Sequence, residues 1–563
     1  MAQSILPKST GLSVVAFPTM RRIMLQSCCC AEKNDFEQEG LRQTVSNWGG
    51  NVSFESEVIR PDSEANLRKI LDDNKERKIR VGGTLHSFNT ACSTDGVLLR
   101  MSRFQTLQMS PDGESVRIGA GVVLRDVYAY LHTLGRMVPV PLTTTTQNVV
   151  GTLCHCTRGA GGNCVAEYCI EVTLTCRYEG RAAITRVLRG EDLRVAAASL
   201  GVLGVVSEVV LKTVPDYFLT EEISFADSFA EAMQMMLSCP KTYVFIWPFI
   251  WQYMVVKHEE ADMQHGISCH TRGRTEDWAA DFASIAAIDT LAAIDGASGC
   301  SLRVLGKFYQ VLRKVTPESQ VVGRAADIID QKFVNYMPGN LQFEVLLPLS
   351  QVGDALQLLE LVVEIFAGSE QYADESQPWA CRLKEAGLWA GLMKIFGTHV
   401  YNILTYLRLT RPDASCLMSP TYIGSQAGCT IEEWYCGFNV EYYTSTNSEH
   451  FHTLGNTVLP LFLEFFDARL HWGKYFPLDA ALLEKNLSRH PGSNEFLQAR
   501  AKFDPEGQFL NEHFSLALGL AKESAKPQVQ PQSGLSAVGR EESAKMQSQR
   551  ASFVRKATEA SLG

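Results

Sequence analysis

Short β-branched runs that stop at glycine or proline recur through the first half of this 563-residue chain, and they constrain its fold more than any other feature. "KIRVGG", "GVLLRM", "SVRIGAGVVL", "IEVTLTCRYEG" and "LGVVSEVVLKTVP" each have the length and composition of a strand and the punctuation of a turn. Helical spacing interrupts them. In "SEANLRKILDDNKER" the apolar positions Ala65, Leu67, Ile70 and Leu71 share one face, with Asp62 or Ser63 as N-cap and Glu64 in the first turn. The pattern ends near "TVPDY", which predicts a boundary between Pro215 and Thr220. Beyond it, "KTYVFIWPFIWQYMVVK", "NLQFEVLLPL", "HVYNILTYLRLTRPD" and "EEWYCGFNVEYYTS" read as strands. "VGDALQLLELVVEIFAG" and "EHFHTLGNTVLPLFLEFFDA" read as helices. The expected fold class is α+β, with one part over 44–217 and a second over 218–520.

The ends differ from the middle. Residues 1–43 start without an acidic residue through the first thirty and carry Lys8, Arg21 and Arg22, a composition that suits a targeting leader or a disordered start. Residues 521–563 are Gln/Ser/Lys-rich and nearly free of aromatics, as a disordered tail is. A net charge of −10, with no basic run interleaved with aromatics, argues against a nucleic-acid partner. The 16 cysteines lack the paired spacing of a zinc site and read as reduced, buried thiols of an intracellular protein, with no metal expected. No apolar run approaches the roughly 20 residues of a spanning helix.

Four motifs carry chemistry. In "RVGGTLHSFNTACSTDG" a strand runs into Gly82 and Gly83, then Thr84, Leu85, His86 and Ser87; glycine after a strand lets backbone approach a ligand, and successive amides suit phosphate. "GTLCHCTRGAGG", Gly151 to Gly162, is a small-residue loop with the same property. "ASLGVLGVVSEVVLKTVP" leads two glycines into a buried strand, and "RLHWGKYF" gathers His471, Trp472 and Lys474 late in the chain. Each alone has an ordinary reading as a turn, a flexible loop, a packed strand or an isolated aromatic. Neither the G-x-G-x-x-G fingerprint nor a Walker loop is present.

Their order and spacing together resemble the sugar-lactone and alditol oxidases of the vanillyl-alcohol-oxidase flavoprotein superfamily, gulonolactone and arabinonolactone oxidases above all. "GGTLHSFNTACSTDGVLL" is similar to that family's histidine–serine signature, "SLGVLGVV" to its second glycine strand, "LRLTRPDASCLMSP" to its substrate strand, "RLHWGKYF" to its HWxK segment and "FDPEGQFLNEHF" to its closing motif. The matches run in the family's order from about Asn47 to Phe514.

The resemblance implies a two-subdomain PCMH-type FAD-binding domain over 44–217, a lactone-oxidase-type substrate domain over 218–520, and a C-terminal segment returning to the flavin site. It implies FAD, joined covalently through His86. Gly83, Thr84, Leu85 and Ser87 would flank the pyrophosphate, Gly151, Thr157 and Gly159 would form the second phosphate-facing loop, and Val206 would meet the adenine end. Arg408 matches the family's arginine and Lys474 its lysine, the cations that stabilise charge growing on reduced flavin. The reaction implied is oxidation of a secondary alcohol of an aldono-1,4-lactone, as in ascorbate synthesis, with electrons passed to O2 to give H2O2. A polyol oxidase, a dehydrogenase feeding an electron carrier, and a flavin-binding homologue with altered catalysis stay open. Relatives also suggest peripheral association with a mitochondrial or other organellar membrane.

The departures from the family pattern stand out. The family's glutamate aligns with Tyr406, whose ordinary pKa of about 10 makes it a poor base; Glu441 is a candidate replacement. The histidine of the family's THG triplet is Arg158, and the glycine before that threonine is Cys156. Leu85 stands where many lactone oxidases have glycine. Ala367 to His399 is longer than in relatives and carries no functional reading.

Overall fold

A computed structural model describes residues 39–521 apart from 163, 262–309, 312, 315–318, 331–339, 402, 425–429 and 444–447. Most of the leader and all but the first residue of the tail lie outside the described residues.

The β-branched runs of the first half form two sheets. One is four-stranded in the order β1 (Arg42–Ser46), β2 (Ser53–Ile59), β4 (Val97–Leu99), β3 (Ile79–Val81), with β2, β4 and β3 parallel. The other is five-stranded and antiparallel in the order β5 (Leu107–Met109), β6 (Ser115–Gly119), β10 (Val205–Lys212), β8 (Cys169–Cys176), β9 (Ile184–Leu188). A short pair, β7 (Arg136–Met137) and β11 (Val214–Pro215), closes this half.

Helix α1 (Glu64–Asp73) links β2 to β3. Ser63 Oγ accepts the Asn66 N–H at 3.2 Å, which settles the N-cap on Ser63 and satisfies a donor the first turn leaves open. Leu67, Ile70 and Leu71 are its buried stripe, and removing each from water contributes roughly 1.5–3 kcal/mol. Helix α2 spans Leu124–Thr133. The stretch expected as a loop from Gly151 in fact begins inside helix α3 (Val149–Cys154). Burial of Val149, Leu153 and Cys154 outweighs the weak helix propensity of valine and glycine there.

The second half is dominated by one eight-stranded antiparallel sheet, ordered β15 (Ser319–Arg324), β12 (Phe218–Ala226), β14 (Gln252–Glu260), β13 (Thr242–Trp247), β17 (Ile403–Thr410), β18 (Tyr435–Tyr443), β16 (Asn340–Pro348), β19 (Arg469–Leu470). Its central strands alternate strictly, and the two faces diverge accordingly. Leu341, Phe343 and Val345 of β16 and Phe438 and Val440 of β18 are buried on one face. Phe343 meets Phe451 (ring centroids 6.0 Å) and Phe438 meets Phe462 (5.3 Å), both on a helix spanning Glu449–Phe465. The other face carries Gln342 and Glu344 of β16, Tyr406 and Arg408 of β17, and Gly437, Asn439 and Glu441 of β18. Register sets them side by side: Tyr406 opposite Asn439, Asn439 opposite Glu344, Gln342 opposite Glu441.

Two returning segments bind the halves together. Phe88 N–H donates to Gly473 O at 3.0 Å, and Asn89 Nδ2 donates to Trp472 O and Lys474 O, each at 2.8 Å. Further on, Ile79 N–H donates to Gln508 O (2.9 Å), Lys78 Nζ to Gly507 O (2.7 Å), and Asn511 Nδ2 to the carbonyls of Thr90, Ala91 and Ser93. The described cysteines are free thiols, and all but Cys92 and Cys381 are buried. Among the described residues no helix is long and apolar enough to cross a membrane.

Candidate functional site

β3 ends at Val81 and delivers Gly82 and Gly83 to a trough whose opposite wall is α3. Asn148, at the start of α3, fixes both sides: its Oδ1 accepts the Thr84 N–H at 2.6 Å while its Nδ2 donates to Gly121 O at 3.0 Å. A Cβ on Gly83 would lie 2.5 Å from Asn148 Oδ1, so no larger residue fits. A Cβ on Gly151 would meet nothing within 4 Å, which leaves bare helix backbone facing open space. Two adjoining cavities, with about 1100 and 1040 Å3 of empty space opening to solvent, share Gly83, Thr84, Asn148, Gly151 and His155 as walls.

The first cavity runs toward Gly201, Gly204 and Val206. Its floor is held by Arg80, buried and bonded to four carbonyls: Ala91 O (2.8 Å), Gly201 O (2.8 Å), Phe509 O (2.6 Å) and Leu200 O (3.2 Å). Leu200 and Gly201 take φ of 54° and 66°, the left-handed region that leucine rarely adopts.

The second cavity begins at His86 and ends on the polar face of the eight-stranded sheet, with Gln342, Tyr406, Arg408, Glu441 and Lys474 in its wall. The His86 ring stacks on Trp48 at 5.0 Å, and its Nε2 is 3.1 Å from Thr146 Oγ1. Burial, with Lys474 nearby, pushes its pKa down to about 3, so the imidazole is neutral near pH 7. Leu85 before it stands at φ 58° and Cys156 at φ 56°. Both positions where this chain departs from the family's glycine therefore hold the backbone conformation that favours glycine.

At the far end, Arg408 Nη2 donates to Glu344 Oε1 at 2.8 Å and Nη1 to Arg158 O at 2.7 Å. Burial alone would raise the Glu344 carboxyl, but Arg408, with His471 and Lys474, brings it down to about 2. Against burial, Glu344 holds Arg408 above its ordinary value. Lys474 Nζ donates to Gln342 Oε1. Burial lowers its pKa to about 8, opposed by Glu344 and Glu441. Glu441 accepts from Gln342 Nε2 (2.5 Å) and Tyr443 OH (2.7 Å), and burial raises its carboxyl. Tyr406 is pushed up by burial and accepts from Asn439 Nδ2, which leaves its O–H free to donate.

The structure thus brings Gly83, Thr84, Leu85, His86, Ser87, Gly151 and Thr157 to one cavity wall, Val206 to the far cavity, and Tyr406, Arg408 and Lys474 to the sheet end. Gly159 is elsewhere: a Cβ on it would lie 2.9 Å from Pro141 O and 3.0 Å from Val140 Cγ1, so it serves close packing outside both cavity walls. Arg158 is fully buried, with Nη2 2.7 Å from Ser419 Oγ. Asn148, His155, Gln342 and Glu344 were not expected. Polar residues at alternate positions of the "NLQFEV" strand are the signal that would have singled out the last two.

The elongated trough, with bare glycine backbone at one end and a polar wall at the other, fits a dinucleotide cofactor carrying a planar ring system. Two family models match the chain: an FAD binding domain over residues 56–182 and D-arabinono-1,4-lactone oxidase over residues 406–516. A long-chain alcohol oxidase from an uncultured marine euryarchaeote is 24% identical over 486 residues, covering 83% of this chain and 95% of that protein. L-gulono-1,4-lactone dehydrogenase of Mycobacterium tuberculosis is 30% identical over 178 residues, 31% of this chain and 41% of that protein. The fold is that of cholesterol oxidase from B. sterolicum, with a TM-score of 0.63 over 85% of this chain and 97% of that one at 12% identity. The expected α+β, PCMH-type architecture is therefore present, and the chain is similar, over these two stretches, to FAD-dependent oxidoreductases of the sugar-lactone oxidase family.

Proposed function

We propose that this protein oxidises a secondary alcohol of a small polyhydroxylated substrate, an aldono-1,4-lactone of the arabinono- or gulono- type, with O2 as electron acceptor. The observation that carries this reading is the polar wall of Gln342, Tyr406, Glu441 and Lys474 facing His86 across one cavity. A substrate rich in hydroxyls can hydrogen-bond with the donors and acceptors of that wall, whereas an apolar chain would displace water from it without replacing the lost hydrogen bonds. Residues 44–217 hold the cofactor and 218–520 face the substrate.

FAD bound in the trough, held along Gly83, Thr84 and Gly151, would supply the hydride-accepting and oxygen-reducing chemistry that yields hydrogen peroxide. The chain's own residues do the rest. Gly83, the Thr84 region and Gly151 offer bare backbone along the cofactor, with Val206 at its far end. His86 is neutral, and with Nε2 on Thr146 its other ring nitrogen is left for a covalent bond to the flavin methyl group. Tyr406 donates to a substrate hydroxyl and orients it. Glu441, whose carboxyl burial raises above the usual carboxylate range, accepts the hydroxyl proton as the carboxylate. Arg408 and Lys474 stabilise negative charge as it develops.

Purified protein is expected to be yellow, with flavin remaining on the polypeptide after acid precipitation, and His86→Ala is expected to release it. Wild-type protein that releases all its flavin ends the covalent assignment. A panel of aldono-lactones, polyols and straight-chain alcohols, followed by peroxide release and by dye reduction, tests the substrate. Turnover of the straight-chain alcohols alone favours the activity named for the archaeal relative.

A further inference from the structure

The buried ion pair at the sheet end spans two strands. Arg408 on β17 reaches Glu344 on β16 across β18, whose residue between them is Gly437. A Cβ on Gly437 would lie 3.0 Å from Glu344 Oε1 and 3.2 Å from Arg408 Nε, so the pair occupies the space that a side chain at this position would fill. Glu344 is 1% exposed and Arg408 is 5% exposed. Glu344 lies outside the cavity lining, while Arg408 lies in it.

We propose that Glu344 is the positioning residue for Arg408: from the same sheet face it pins the guanidinium, so that Arg408 meets the cavity in one fixed orientation beside Lys474. This rests on the functional reading above. Both terminal nitrogens of Arg408 are committed, one to Glu344 and one to the Arg158 carbonyl, so its plane is fixed before any ligand arrives. Strand β17 itself provides no carboxylate, because the neighbouring cavity-facing residue is Tyr406. Register explains how Glu344 takes that place: Tyr406, Asn439 and Glu344 form one cross-strand row, and the row beside it is Arg408 and Gly437. A carboxylate in the third strand of the row reaches the arginine only because Gly437 has no side chain. The groups facing Arg408 are Tyr243 from β13, Tyr406 from its own strand, Glu344 from β16, the Arg158 carbonyl from the loop after α3, and His471 and Lys474 from the segment after β19. Among the described residues Glu344 is the carboxylate bonded to it.

The test is Glu344→Gln, prepared as the flavin-loaded full chain. The glutamine retains size and a carbonyl acceptor but removes the charge. The expected result is a fall in kcat of about 10²-fold, the scale of a misplaced catalytic group. The alkaline limb of the rate profile should also move to lower pH, because Glu344 raises the Lys474 pKa. The flavin midpoint potential, measured without substrate, should rise on loss of a buried negative charge. Gly437→Ala pushes the pair apart with no change in charge and should lower kcat with the potential unmoved; it serves if Glu344→Gln does not accumulate as folded flavoprotein. A loaded Glu344→Gln protein with wild-type kcat, alkaline limb and potential overturns the proposal. If the wild type oxidises no lactone or polyol, the functional reading falls, and the potential of the two variants still decides the role of Glu344.

Discussion

Replacing Lys474 with methionine is expected to lower kcat by about 10²–10³-fold, the usual loss when one preorganised charge-stabilising group is removed. The backbone at this position is fixed independently of the side chain: the Lys474 N–H donates to His471 O at 3.1 Å, and Lys474 O accepts from Asn89 Nδ2 at 2.8 Å. Methionine therefore removes the charge with the segment held in place, and flavin content should be unchanged. The charges around it make the effect large. Arg408 is paired with Glu344, and His86 and His471 are both held neutral by burial, with pKa values of about 3. Since Lys474 titrates at about 8, its cation predominates below that pH and is lost above it. If the cation acts in the reaction, kcat of the wild type falls as pH rises through about 8, and this limb disappears in Lys474→Met. Steady-state rates across pH 6 to about 10 check both. A variant that retains wild-type kcat at pH 7 removes Lys474 from the mechanism.

Arg80→Met should destabilise the folded protein by on the order of 4 kcal/mol, read as a lower urea midpoint or Tm. Arg80 binds four main-chain carbonyls, and each buried acceptor left without a donor costs about 1–3 kcal/mol, less where water enters from the cavity. These carbonyls belong to three separate stretches, the loop after His86, the Leu200–Gly201 turn and the C-terminal Phe509. Burial lowers the Arg80 pKa, yet it has no carboxylate within ion-pair distance among the described residues. Its role is to order backbone beneath the cofactor trough. Flavin retention should therefore weaken along with stability. An unchanged urea midpoint would show that the carbonyls find other donors.

Local chemistry was legible in the sequence, and cross-strand chemistry was not. Ser63, the strand ending at Val81 and the alternation of β16 and β18 depend on neighbours a few residues away, and the sequence periods state them directly. The loop expected from Gly151 became α3 because burial of Val149 and Leu153 is a tertiary effect. Gly159 belongs to the same glycine-rich stretch as Gly151, but the chain turns between them and sends it against Pro141. Glu344 was missed for a related reason: its meeting with Arg408 depends on β18 lying between their strands, and no strand names its neighbour. The departures at Leu85 and Cys156 look arbitrary as letters and become intelligible as residues at positive φ.

The hydrogen bonds from Lys78, Ile79 and Asn511 have a consequence for how the protein is made. They join residues separated by more than four hundred positions along the chain. A ribosome exposes the His86 loop early, yet the partners that close its surroundings, Trp472 to Lys474 and then Gln508 to Asn511, emerge more than 380 residues later. Until then the nascent trough lacks one of its walls, and loop-closure entropy opposes its assembly. Cofactor capture is therefore expected to await these distant segments. A chain truncated before Gln508 should remain without flavin even though every glycine of the trough is present.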